Sequence, residues 1–255
     1  MPRIKPITHD DRLSIVEHLD ELRSRLIVTA FALAVAFGLC FWQNHRLLDI
    51  VNDPLPHGIK PITLSPAESF TTTMTVSAYF ALLLTLPIIL YELYAFVLPA
   101  FTPTERKIAF PLLMLIPFLF IAGVVFGYFI VIPAAIKFLL NFNDDQFNIQ
   151  IRAREYYSFV SLTLIAMGAV FQVPVGILAA TRLGLTTPQK LRKNRRYAFL
   201  ICSIVAAALP GVDPVSMLIE MVPLLVLYEL SILLAAAFGR PSAEVGDQLA
   251  SAEGS

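Results

Sequence analysis

Acidic and basic side chains next to long apolar stretches are the residues of this chain that could do chemistry. Glu21, Arg23 and Arg25 come directly before the first apolar stretch. Glu21 and Arg25 are four residues apart, so a salt bridge on one face of a helix would explain their spacing. Glu105 follows a Thr-Pro-Thr sequence, which is typical of the first turn of a helix. Both carboxylates could instead bind a cationic ligand, above all a guanidinium, which pairs with a carboxylate through two hydrogen bonds.

A second group of polar residues lies inside the apolar stretches. Gln172 lies in the middle of the fourth stretch, and Glu220 lies in the sixth, about two turns from its start. A polar group in lipid is costly without a polar partner, so we expect Gln172 to bridge helices and Glu220 to face protein or water, where it could be protonated. Glu92 and Glu229 lie nearer the ends of their stretches, where a long side chain can reach the aqueous boundary.

Motifs for catalysis or cofactor binding are missing from the sequence. Its four histidines show no metal-ligand spacing, and it has neither a G-x-S-x-G elbow nor a phosphate-binding glycine loop. Cys40 and Cys202 lie in apolar stretches, which argues against a disulfide or a cysteine metal site. Basic and acidic residues are equal at 19 each, whereas nucleic-acid binders carry a basic excess. We therefore expect a protein that is not an enzyme, holds no metal or cofactor and binds no nucleic acid.

The elements that position these residues are predicted to be transmembrane helices. Hydrophobic residues make up 57% of the 255 residues and charged residues only 15%, which is typical of membrane proteins. A bilayer core about 30 Å thick needs about 20 apolar residues per helix. The fifth candidate is short, so it must lie in a thinned bilayer or against partners. The six apolar stretches are residues 26–42, 76–98, 108–132, 157–180, 197–209 and 215–238.

The distribution of basic residues predicts the orientation. Fourteen of the 19 lysines and arginines fall on one side, in the N-terminal arm, the second–third loop, the fourth–fifth loop and the tail. Positive charge marks the cytoplasmic side, so both termini are expected in the cytoplasm. The predicted organisation is a cytoplasmic arm with an amphipathic helix at residues 1–25, a six-span membrane domain at residues 26–238 and a disordered cytoplasmic tail at residues 239–255.

Taken in order, these motifs resemble the TatC family, the multispanning receptor subunit of the twin-arginine protein translocase. The stretch from His18 to Leu26 is similar to the family's HLxELRxRL motif. Further stretches resemble the family's later helices and both cytoplasmic loops, and the similarity runs from about residue 10 to residue 238. These stretches are residues 87–106, 120–133, 156–175, 184–197 and 213–229.

The resemblance completes the predicted fold and implies a function. The expected fold is an all-α integral membrane protein with six transmembrane helices, a concave helix-lined groove, short fifth and sixth spans and both termini cytoplasmic. It would lie in the bacterial cytoplasmic (inner) membrane and bind twin-arginine signal peptides of folded cargo. It would recruit single-span TatA- and TatB-like partners and other copies of itself, and the proton-motive force would drive export. The alternative is a secondary transporter for a small solute, although no convincing internal repeat is visible.

Carried over by position, the resemblance also implies roles for individual residues. One signal arginine would dock against Glu105 and the other near Glu21, with further contacts from Arg23, Arg25 and Phe96. Two more residues match outer-face functional positions, namely Pro54 and Asp213.

Intramembrane polar residues are the candidates for contact with a partner helix. They are Gln172, Glu220 and Glu229. Family members often carry glutamate where this chain has Gln172, and an amide cannot take up a proton. Glu220 stands where an apolar residue is expected, and the resemblance gives no account of it.

Overall fold

The computed structural model describes residues 15–56, 58–97, 103–146, 148–182, 184–210 and 213–238, with only the backbone for residues 15–19, 97, 103–114 and 238. Regular structure within these ranges is helical, apart from one isolated bridge between Ile62 and Arg152. The helices are α1 (Ile15–Trp42), α2 (Asn44–Asn52), α3 (Pro66–Val97), α4 (Pro103–Phe126), α5 (Ile132–Asn141), α6 (Ala153–Val170), α7 (Val173–Arg182), α8 (Pro188–Lys193), α9 (Arg195–Ala208) and α10 (Pro214–Phe238).

Prolines set three of the long helix starts. The pairs Ser65-Pro66, Thr102-Pro103 and Asp213-Pro214 in the sequence predict helix starts, and α3, α4 and α10 begin at these three prolines. Proline suits this position because its ring fixes a helical φ and because the first N–H of a helix has no partner within it. α3 therefore begins well before its most apolar part and runs for 32 residues, about 48 Å.

Two of the long helices are interrupted next to a proline. α6 ends at Val170 and α7 begins at Val173, so the fourth apolar stretch is broken at Phe171 and Gln172. Pro174 follows directly, and proline both lacks an N–H and clashes with the carbonyl four residues earlier. The third stretch contains a π-helical turn at Gly127–Val131, just before Pro133. Such turns re-route the backbone where the regular hydrogen-bond ladder fails.

The helices pack through a core that links α1 and α2 to α3 and α3 to α6. α4 and α6 approach especially closely at two glycines. A Cβ atom on Gly123 would lie 2.5 Å from the carbonyl oxygen of Met167, and one on Gly168 would lie 2.4 Å from the ring of Phe120. Only glycine permits this approach, so these two positions set the spacing of the α4–α6 pair.

Five helical segments of the described residues are long and apolar enough to cross a membrane: Asp20–Trp42, Pro66–Phe96, Leu115–Asn141, Ala153–Arg182 and Pro214–Ala237. The predicted short fifth stretch forms α9, whose 14 residues rise only about 21 Å. The expectation of a short sixth span is wrong, because α10 begins at Pro214 and continues past Pro223 to Phe238, which gives it 25 residues, about 37 Å.

α2 and the turn that follows it lie at the end of the bundle where α3 begins. The hydroxyl of Tyr156 donates to the carbonyl of Val51 at 2.6 Å, and that of Tyr128 donates to the carbonyl of Ile50 at 2.8 Å. These carbonyls belong to the last turn of α2, where a helix has no internal donors left. The tyrosines therefore fix α2 on the bundle.

Candidate functional site

A cluster of three charged side chains lies where the first half of α1 meets the end of α3. The Arg25 Nη2 atom lies 2.6 Å from Oε1 of Glu21, and its Nε atom donates to the same oxygen at 3.1 Å. The Arg25 Nη1 atom donates to Oε2 of Glu92. One guanidinium is thus held between two carboxylates, a cluster that we call the Arg25 triad.

Helix packing assembles the Arg25 triad from distant parts of the chain. Glu21 and Arg25 lie one helical turn apart on α1, whereas Glu92 is 67 residues from Arg25 in sequence. The extensive contact between α1 and α3 brings them together. The side chains of Arg25, Glu21 and Glu92 are 23%, 28% and 20% exposed, so the triad is partly shielded yet open to a ligand from solution. Shielding of this degree strengthens ion pairs relative to fully exposed ones.

The other residues predicted to bind the signal peptide divide into three cases. Arg23 is exposed on α1. Phe96 is half-buried and lies four residues after Glu92, on the same face of α3. Glu105 lies in the first turn of α4, where the helix dipole favours a negative charge. Its side chain lies outside the described residues, so the predicted juxtaposition with Glu21 stays a prediction.

Glu92 is a member of this site that sequence reasoning missed. Its position near the end of the second apolar stretch suggests only a side chain that reaches the membrane boundary. The contact with Arg25 depends on how α1 and α3 pack, and that is a tertiary feature. The sequence offers one indication of it, because Glu92 and Glu21 lie at the same predicted membrane edge.

Gln172 lies at the break between α6 and α7 and is 6% exposed. Its Nε2 atom donates to the carbonyl of Ile116 on α4 at 3.3 Å and to that of Gly168 at 3.4 Å. Its Oε1 atom has no hydrogen-bond partner among the residues that the structure describes. Gln172 therefore fastens α4 to the broken helix, and its contact with a partner helix stays a prediction.

The start of α10 carries two buried carboxyl groups. Asp213 is 5% exposed and caps the helix, because its Oδ1 accepts from the backbone N–H of Ser216 at 2.7 Å and its Oδ2 accepts from the Ser216 hydroxyl at 2.6 Å. Glu220 is fully buried, two turns further along the same face. Neither oxygen of Glu220 has a hydrogen-bond partner within the described ranges.

Two further predicted residues lie on accessible surfaces. Glu229 on α10 is about half exposed and accepts from Arg195 of α9 at 2.7 Å, so it fastens these helices together. Pro54 is half-buried in the turn after α2, the helix that Tyr128 and Tyr156 hold on the bundle. Among the described residues, no group of three or more His, Cys, Asp or Glu side chains could hold a metal ion.

A second arginine–carboxylate pair, which sequence reasoning did not find, lies at the beginning of α3. The Arg152 Nε atom lies 2.8 Å from Oε1 of Glu68, and Oε2 of Glu68 accepts from the backbone N–H of Leu64 at 2.8 Å. The hydrogen bond that Arg152 donates to Glu68 holds the pKa of the Arg152 guanidinium above its usual value. Glu68 thus closes the first turn of α3 as its spacing suggests, and it also anchors the segment that precedes α6.

Comparison with known proteins identifies relatives along most of the chain. The family model described as TatC, Sec-independent protein translocase protein, matches residues 17–223. The Sec-independent protein translocase protein TatC of Desulforapulum autotrophicum is 36% identical over 235 residues, covering 91% of this chain and 87% of that protein. The chloroplastic TATC of Oryza sativa subsp. japonica is 37% identical over 229 residues, covering 89% of this chain and 64% of that protein. A crystal structure described as the twin arginine translocase receptor TatC in DDM superposes with a TM-score of 0.76 at 32% identity, covering 88% of this chain and all of that one.

Proposed function

This chain belongs to the TatC family of Sec-independent protein translocases, and from that premise we propose that it binds the paired arginines of signal peptides on folded cargo. The binding site lies at the cytoplasmic rim and contains Glu21 and Glu105. The cargo then crosses the membrane with the help of other subunits of the twin-arginine translocase, driven by the proton-motive force.

The observation that carries this proposal is the Arg25 triad. It places a guanidinium between the carboxylates of Glu21 and Glu92 with direct hydrogen bonds. The same geometry suits a signal arginine, whose planar fork offers several donors in one direction. A hydrogen bond to a charged group contributes about 1.5–3 kcal/mol. The hydrogen bonds of two docked arginines therefore make the binding free energy of the signal peptide more favourable.

The proposed topology has six spans and both termini in the cytoplasm of a bacterium, with the chain in the inner membrane. The five long segments and the short α9 support the span number, and the basic bias of the predicted cytoplasmic segments supports the orientation. α9 then lies in a thinned bilayer or against a partner.

TatA- and TatB-like single-span subunits are the proposed partners, together with further copies of the chain. Gln172, Glu220 and Glu229 are the polar positions proposed for these contacts. The apolar groove between helices receives the hydrophobic part of the signal peptide. A secondary transporter for a small solute is not proposed, because the family is one of protein translocases.

Crosslinking tests the proposed binding site. A synthetic signal peptide with an Arg-Arg pair and a photoreactive group is mixed with the purified protein in lipid nanodiscs. Glu105→Gln and Glu21→Gln should each reduce crosslinking about tenfold, because each removes a charged hydrogen bond to an arginine. Glu155→Gln is the matched control, since Glu155 is 74% exposed and pairs with Arg152 at the opposite end of α3. Equal crosslinking by all four proteins would refute the assignment.

A further inference from the structure

The two carboxylates of the Arg25 triad are occupied by an arginine of the chain itself. Arg25 uses three of its donor atoms, two toward Glu21 and one toward Glu92. The triad carries one net negative charge when all three groups are ionised. A second guanidinium that approaches from solution would therefore find an attractive charge but carboxylates already engaged.

We propose that Arg25 is an internal occupant of a guanidinium site formed by Glu21 and Glu92, and that a signal-peptide arginine binds by displacing it. This inference rests on the proposed function and adds Glu92 as a binding residue. The exchange replaces one set of carboxylate–guanidinium hydrogen bonds by another of the same kind. The net gain at this site is therefore smaller than it would be without Arg25, and a ligand with poorer geometry gains least.

Exchange of this kind favours arginine over lysine. The guanidinium of Arg25 bonds Glu21 through Nε and Nη2 and Glu92 through Nη1, an arrangement that depends on the planar fork. An ammonium group is a compact point charge and cannot span both carboxylates in this way. A lysine would have to displace an arginine that fits better, so the internal occupant raises the discrimination between Arg-Arg and Lys-Lys signals.

The partial exposure of Arg25 permits the exchange. Arg25 is 23% exposed, and its side chain has several rotatable bonds with which to leave the site. Once released, it can turn along α1 toward the neighbouring aqueous boundary. Glu21 and Glu92 stay in place because α1 and α3 pack together extensively.

Equilibrium binding tests the exchange on the full-length protein in lipid nanodiscs. The probe is a fluorescent synthetic signal peptide with an Arg-Arg pair, and a Lys-Lys version serves as its partner. Arg25→Gln should bind the Arg-Arg peptide about fivefold or more tightly than the wild type, because Arg25 then no longer competes for Glu21 and Glu92. Its preference for Arg-Arg over Lys-Lys should shrink. Glu92→Gln should bind the Arg-Arg peptide more weakly, and adding Glu92→Gln to Arg25→Gln should remove most of the gain.

Arg195→Gln is the matched control, because Arg195 pairs with Glu229 of α10 and is not a member of the triad. It should leave peptide affinity unchanged. The gain in Arg25→Gln should persist at high salt, since direct contacts are screened far less than distant charges. If Arg25→Gln fails to fold, Arg25→Lys keeps the charge without the fork and should show a smaller gain.

The outcomes separate this inference from the proposed function. A wild-type protein that binds both peptides equally contradicts the proposed function itself. A wild-type protein that prefers Arg-Arg, combined with an Arg25 variant that binds it no more tightly or more weakly, contradicts only the exchange. A gain that vanishes at high salt, or that appears equally in Arg195→Gln, also overturns it.

Discussion

Glu68 and Glu92 lie near opposite ends of α3, and each is ion-paired to an arginine from another part of the chain. The two residues are 24 positions apart on a continuous helix, so about 36 Å separates them. Glu68 ties α3 to the segment before α6, and Glu92 ties it to α1. α3, the longest helix among the described residues, is thus fixed at both ends by the same chemistry, although only the Glu92 end is proposed to bind a ligand.

The Glu68 pair is expected to stabilise the fold without affecting peptide affinity. Glu68→Gln should lower the unfolding temperature in detergent, because it removes a carboxylate that Arg152 and the Leu64 N–H both use. Acidification that protonates Glu68 should act in the same direction. Glu155→Gln should have little effect, since Glu155 is 74% exposed and lies 3.3 Å from Arg152. Equal losses of unfolding temperature in the two variants would contradict a stabilising role for the Glu68–Arg152 pair.

The close contact between α4 and α6 should tolerate no side chain at Gly123. Gly123→Ala places a methyl group 2.5 Å from a backbone oxygen of Met167, so it should cost about 1–3 kcal/mol of unfolding free energy. Gly38→Ala is the control within α1, where a Cβ meets nothing within 4 Å. It should be neutral or stabilising by up to about 1 kcal/mol, because alanine is the better helix former. Thermal unfolding followed by circular dichroism compares the two.

Asp213 is expected to stabilise the fold through its cap on α10. Asp213→Ala removes the acceptor of the Ser216 N–H and should cost about 0.5–2 kcal/mol. Asp213→Asn keeps one side-chain oxygen and should lose less. If both variants unfold like the wild type but abolish export, the role of Asp213 lies in a contact with cargo or partner rather than in the cap.

Glu220 should be replaceable by a neutral residue without loss of stability. An ionised carboxylate without a partner is costly to bury, and neither of its oxygens has a partner in the described part of the chain. Glu220→Gln should therefore match or exceed the wild type in unfolding temperature at neutral pH. Glu229→Gln should lower it slightly, because Glu229 pairs with Arg195. A marked loss of stability in Glu220→Gln would reveal a partner that Glu220 needs.

Local patterns in the sequence predicted the helix starts and most of the helices. The Ser-Pro, Thr-Pro and Asp-Pro pairs mark the starts of α3, α4 and α10, because proline acts through its own backbone. The break at Phe171–Gln172 also has a local cause in Pro174. The short α9 follows from the length of its apolar stretch alone.

Contacts between distant residues could not be predicted in this way. Glu92 and Glu68 look like residues at the ends of one helix, and their arginine partners lie 67 and 84 positions away. Their pairing depends on which helices pack together and on how far each is shifted along its axis. The periodicity within a single helix does not encode this arrangement. The spacing of Glu21 and Arg25 predicted their salt bridge, which the structure confirms, but it did not reveal that Arg25 also binds Glu92.

Export by living cells tests the central proposal most directly. A folded reporter with an Arg-Arg or a Lys-Lys signal is expressed in a bacterial strain that relies on this chain, and reporter outside the cytoplasm is measured. We expect export of the Arg-Arg reporter alone, and its loss in a Glu21→Gln, Glu105→Gln double variant that is still present in the membrane at wild-type levels. Equal export of both reporters, or undiminished export by the double variant, would contradict recognition of paired arginines by these carboxylates.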